Sequence, residues 1–147
     1  GALTPRLPAR GTLARWPGHQ AAATRPALSE TARGVGRGGY PLGRQRIAQH
    51  VTEARALPLT GQRAVTSTMR AGMPGPEGSL MKLFWSELNQ RMQETAIDLE
   101  GMYGQLKDNG PWQYGFLRSR GNTIEAGSSE VLRNIIAERV LGLPRSR

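Results

Sequence analysis

The stretch that most limits the fold is SLMKLFWSELNQRMQETAIDLEGMYG, residues 79–104. Leu80, Phe84, Leu88, Met92 and Ala96 recur every fourth position, joined by Leu83, Ile97 and Leu99, so together they line one side of an α-helix. Glu87, Gln90, Arg91 and Glu94 fill the opposite side. Ser79 is placed to cap the start and Gly101 to end the run. A helix of this length makes about six turns and is roughly 30 Å long. Its apolar stripe is too extensive to leave in water, so it requires partner helices.

The flanking segments supply them. In RQRIAQHVTEARAL (44–57), Ile47, Val51, Ala54 and Leu57 repeat at helical spacing. Pro58 removes one amide donor and is expected to kink or break this helix, which resumes through TGQRAVTSTMR with Val65 and Met69 on one face. MPGPEG (73–78) reads as a linker, and KDNGP (107–111) as a turn. WQYGFLRSR then forms a short helix. In EVLRNIIAERVLGL, Val131, Leu132, Ile135, Ile136 and Val140 form the predicted buried face. Nowhere does an alternating strand pattern appear. Residues 44–147 are therefore expected to be all-α, an incomplete up-down helical bundle.

Composition divides the chain at the same place. Of the net charge of +9, residues 1–42 carry +5, from six arginines and one glutamate, and 12 of these 42 residues are Gly or Pro. Prolines 5, 8, 17, 26 and 41 oppose a helix, and apolar residues are sparse. Residues 1–43 are accordingly expected to be a disordered or non-native extension. A transit peptide, a nucleic-acid-binding arm and an out-of-frame extension from GC-rich coding are the three explanations for it. Beyond residue 43 the charges alternate along each helix, as on a solvated face, which argues against a nucleic-acid partner. With no cysteine there is no disulfide framework or thiolate metal site, and His19 and His50 alone cannot build a multi-histidine one. His50 reads as a surface or packing residue, and the aromatics Trp85, Trp112, Tyr103 and Tyr114 as packing residues. No apolar run is long enough to span a membrane.

Two segments carry a family resemblance. GSSEVLRNIIAERVLGLP (127–144) resembles the closing signature of the acyl-CoA dehydrogenases, where a Gly-Thr/Ser-Ser-Glu/Gln turn enters a last helix. MKLFWSELNQRMQETAIDLEGMYG (81–104) is similar to the family's long helix and its terminal Gln-x-x-Gly-Gly-x-Gly turn, and residues 44–57 fit the helix before it. The resemblance covers residues 44–147 and leaves out 1–42. It implies part of an FAD-dependent enzyme that oxidises an acyl-CoA thioester to its α,β-enoyl product and assembles from related subunits. It also implies that the first helix of the bundle, with an Arg-x-x-Phe-Gly flavin contact, is missing together with the β-domain. The fragment is then expected to be inactive alone, unable to hold FAD, and cytoplasmic in a bacterium (mitochondrial if residues 1–42 act as a transit peptide). The alternative is a non-catalytic helical module that docks on related subunits through the stripe of helix 79–100.

Carried over residue by residue, the resemblance places Gly127, Ser128, Ser129 and Glu130 at the turn that meets FAD and substrate. A helix N-terminus offers amides to anionic or oxygen-rich groups, which suits such a turn. The family's most familiar base, a glutamate just before the Gly-Thr/Ser pair, is replaced here by Ala126, whose backbone N–H retains the ability to donate to a thioester oxygen. Glu125, one residue earlier, is the nearest carboxylate. Gly101 and Gly104 match the glycines of the second cofactor turn, but Asp98 stands in place of the amide and Met102 in place of a glycine.

Overall fold

The computed structural model describes residues 17–72, 75–106 and 110–145. Five helices follow in order: α1 (Pro17–Gly34), α2 (Pro41–Ala71), α3 (Glu77–Glu100), α4 (Pro111–Asn122) and α5 (Ser129–Arg139), with a 3₁₀ turn at Tyr103–Gln105. Among the described residues there is no strand, and no helix is long and apolar enough to cross a membrane. The predicted linker at 73–78 and turn at 107–111 lie partly outside the described residues.

The stripe on residues 80–99 makes α3 the central helix, which packs against α1, α2, α4 and α5. Leu88, Met92, Ala96 and Leu99 from α3 meet Ala54 and Leu57 from α2 and Leu28 and Ala32 from α1. Trp85 and Trp112 are partly buried at the edge of this core. Tyr103 and Tyr114, expected to pack, are exposed.

The segment expected to be disordered differs from Pro17 onward. Residues 17–34 form α1, and Leu28 is fully buried in the shared core. Residues 1–16 lie outside the described residues. The first helix of the bundle is thus present, although the chain contains no Arg-x-x-Phe-Gly. Prolines explain the mismatch. Pro17 starts α1, where its missing N–H costs nothing, and Pro26 faces solvent. Pro58 is likewise exposed, so α2 runs unbroken through it while the adjacent Leu57 is buried. A helix tolerates such a residue when the lost bond falls on its wet side and its other side is packed.

Two apolar faces read from sequence are only partly covered. Val65 and Met69 on the last turns of α2 are exposed, and on the α5 face Val131 and the capping Val140 are exposed, Ile135 and Ile136 half-buried and Leu132 buried. α5 packs against α3 alone.

His50 is a buried packing residue whose Nε2 lies 2.9 Å from Thr95 Oγ1. Thr95 Oγ1 donates to the Arg91 carbonyl, so the histidine ring must be the donor to it. Burial lowers the His50 pKa; the Glu53 carboxylate opposes that shift, and Arg91 and Arg46 add to it. The unfolded chain therefore takes up a proton before the fold does. Stability is expected to decline as pH falls below about 6.5, the ordinary histidine value, and to level off under the lowered native pKa. Urea unfolding of wild type and His50→Gln from pH 7.5 to 5.5, approximate bounds around that value, should show the decline only in wild type.

Candidate functional site

The turn between α4 and α5 contains the one non-glycine residue with positive φ among those described. Ala126 has φ 55° and Gly127 follows at 101°, so two successive residues are left-handed. An alanine pays about 1–2 kcal/mol for that conformation, which persists only where the surroundings enforce it. The surroundings are specific. Ser129 N–H donates to the Thr123 carbonyl at 3.0 Å, and Glu125 N–H to that of Gly121 at 2.9 Å. Gln90 of α3 donates to Thr123 Oγ1 at 2.9 Å. Lys82, also on α3, donates from Nζ to the Gly127 carbonyl at 2.6 Å.

Glu125 is held from the other side. One guanidinium nitrogen of Arg118 reaches both its oxygens, at 3.0 and 2.9 Å, and Asn122 Nδ2 donates to Oε1 at 2.7 Å. Asn122 is itself bonded by Asn89, and Asn89 by Gln93, so the carboxylate terminates a chain of amides rooted in α3. Its pKa is lowered, first by Arg118 and then by Asn122. A carboxylate kept ionised and pinned in this way acts as a tether; proton abstraction beside a thioester calls for a basic group free to approach carbon.

Beyond the turn, Ser128 caps α5 by accepting the Val131 N–H. The Glu130 carboxylate folds back onto its own amide and the Ser128 hydroxyl, and both lower its pKa. Ser129 differs from them. It is 6 % exposed, lines a cleft of about 420 Å³ between α3 and α5, and its Oγ has no hydrogen-bond partner. Since buried polar atoms are rarely left unpaired, this hydroxyl fits an oxygen-rich ligand group. With Glu130 already on the helix end, hydroxyl-bearing parts of a flavin suit the donor and acceptor set better than a bare pyrophosphate. The predicted residues Gly127, Ser128, Ser129 and Glu130 are therefore together, while Ala126 contributes only backbone.

The second predicted turn is built differently. Gly101 ends α3 with φ 63°, and its N–H donates to Ile97 O; the Gly104 N–H donates to Gly101 O. Both amides are spent inside the turn. The Asp98 carboxylate pairs with Arg46, and its carbonyl accepts from Arg37 at 2.8 Å. Arg37 also lies over Gly101. Met102 is exposed. This turn offers no cradle of donors and does not fit a pyrophosphate. It also stands at the opposite end of α3 from Lys82, roughly 24 Å away by helical rise over sixteen residues.

Lys82, Arg118, Asn122 and Gln90 were not legible as site residues. Lys82 and Gln90 lie on α3, far from the motif, Arg118 and Asn122 on the helix just before it, and none carries a pattern beyond that of a polar helix face. Elsewhere Arg46, Arg91, Arg120 and Arg133 each pair with a carboxylate, and among the described residues no three metal-ligating side chains converge.

Residues 10–141 match the model of "Acyl-CoA dehydrogenase, C-terminal domain". Acyl-CoA dehydrogenase IpdE1 of Mycolicibacterium smegmatis is 40% identical over 121 residues, covering 80% of this chain and 30% of that protein. The solved structure titled "Tcur3481-Tcur3483 steroid ACAD" shares the fold with a TM-score of 0.74 at 22% identity, covering 88% of this chain and 35% of that one. The ChsE4-ChsE5 complex from Mycobacterium tuberculosis gives 0.71 at 20% identity, covering 88% and 37%. The chain spans about a third of the length of these proteins. The match begins well before residue 44, inside the segment that reads as unrelated in sequence.

Proposed function

The chain belongs to the acyl-CoA dehydrogenase family, and on that premise we propose that it forms the C-terminal helical wall of a flavoenzyme that oxidises an acyl-CoA thioester to the α,β-enoyl product. When bound, FAD would supply the hydride acceptor. The observation that carries the reading is the left-handed Ala126–Gly127 step leading into α5, with the unpaired Ser129 hydroxyl behind it. The Ser129 hydroxyl meets the cofactor's oxygens, Ser128 shapes the turn by capping α5, and the Ala126 N–H is left to the substrate thioester. Ala126 has no proton-accepting side chain and Glu125 is tied to Arg118, so the base comes from residues outside this chain.

We propose a related acyl-CoA dehydrogenase subunit as a partner; the ChsE4-ChsE5 complex, an assembly of the same fold, supports this. For the alternative, a non-catalytic docking module, Leu88, Met92, Ala96 and Leu99 of the stripe are covered by the chain's own helices while Leu80 is exposed, and a groove of about 480 Å³ lined by Ile97, Leu106, Phe116 and Leu117 is a further apolar candidate.

Flavin content separates these readings. The purified chain should be colourless. A chimera carrying residues 10–141 in place of the same domain of the Mycolicibacterium smegmatis relative should retain bound flavin, and a Ser129→Val version should lose most of it. A chimera that stays colourless, or one indifferent to Ser129→Val, sinks the assignment of this turn to the cofactor.

A further inference from the structure

We infer that Lys82 is a positioning residue that holds the Ala126–Gly127 turn in its left-handed form, so that the start of α5 stays open to a ligand. The inference rests on the proposed role of that turn. Gly127 is the second of two left-handed residues, and its carbonyl accepts the Lys82 ammonium at 2.6 Å across 45 residues of sequence. Lys82 is only partly exposed, so ordering its long side chain has to be offset by this bond. Charge-assisted bonds of this type are shorter and roughly twice as strong as neutral ones. The opposite edge of the turn is secured by the Glu125 carboxylate, which is paired with Arg118. Lys82 thus acts from beneath while Arg118 and Asn122 act from the side. Ser128 and Ser129, between them, line the α3–α5 cleft.

Without the ammonium, Ala126 gains by leaving its unfavourable φ, and the turn is expected to relax. The test is amide NMR on the full chain, with Lys82→Met to keep the aliphatic stem and Lys82→Arg to keep a charged donor. In Lys82→Met the Ala126 HN–Hα coupling should move away from its left-handed value. Exchange of the Ser129 amide, bonded to Thr123 O, should accelerate about tenfold or more, the scale of one lost charged hydrogen bond. Amides of α2 should stay in place, and Lys82→Arg should restore both local signals. Unchanged Ser129 exchange in Lys82→Met overturns the assignment. So does an acceleration spread evenly over α3 and α5, which would mark Lys82 as ordinary support. No cofactor enters the measurement, so a colourless chimera would refute the cofactor role of the turn and leave this result standing.

Discussion

Replacing Leu28 by alanine is expected to remove about 2–5 kcal/mol of folding stability, the range for deleting a fully buried leucine. Leu28 is 0 % exposed and meets the core that α2 and α3 build around Leu57, Leu88 and Met92. Its helix packs against both α2 and α3, so the cavity cannot be filled by a shift of one neighbour. Urea unfolding at neutral pH reads the effect as a lowered midpoint with little change in slope. Val35→Ala, at an exposed position just past α1, should stay within about 0.5 kcal/mol of wild type. Equal midpoints for Leu28→Ala and wild type would mean that α1 is not docked on the bundle. The extension would then be as dispensable as its composition suggests.

That contrast shows where sequence reading failed. Prolines and sparse apolar residues make residues 17–34 look unlike a helix in sequence. In α1 the described core residues are only Leu28 and the small Ala32, one turn apart, and Pro26 lies between the helix start and both. So short a stripe is invisible to periodicity, yet it suffices because α3 presents a complementary face. α3 itself was readable for the opposite reason, since its stripe is long and made of large residues. For α5 the pattern overstated burial. Val131 and Val140 are apolar on the expected face, but each is about half exposed.

The candidate site divides in the same way. Gly127 to Glu130 was found because four adjacent residues carry a family signature, and the helix start they cap is local chemistry. What fixes the turn is not local. Lys82 and Gln90 come from α3, and neither could be assigned before the packing of α3 on α4 was known. The apparent catalytic candidate Glu125 also depends on context, since the same carboxylate beside a free cleft would titrate normally and beside Arg118 does not.

Gly104 reverses the lesson, because a motif position has a structural reason of its own. Gly104→Ala is expected to destabilise the chain by about 1–3 kcal/mol, the range for forcing atoms into a packed site, and at its upper end because backbone blocks the added carbon. A Cβ there would stand 2.8 Å from the Ile97 carbonyl oxygen and 3.2 Å from Ile97 Cα, both backbone atoms of the last turns of α3. They cannot rotate away as a side chain can, so either α3 frays or the 3₁₀ turn lifts off. Gly101→Ala meets a different obstacle. Its φ of 63° costs an alanine about 1–2 kcal/mol, but its Cβ would touch only the far end of Arg37, which can swing aside. The predicted order of stability is therefore wild type, Gly101→Ala, Gly104→Ala, measured by urea unfolding of the chain without cofactor. If these glycines were kept only for a neighbour's flavin, both variants would unfold with wild type. The clash at Ile97 requires that at least Gly104→Ala does not.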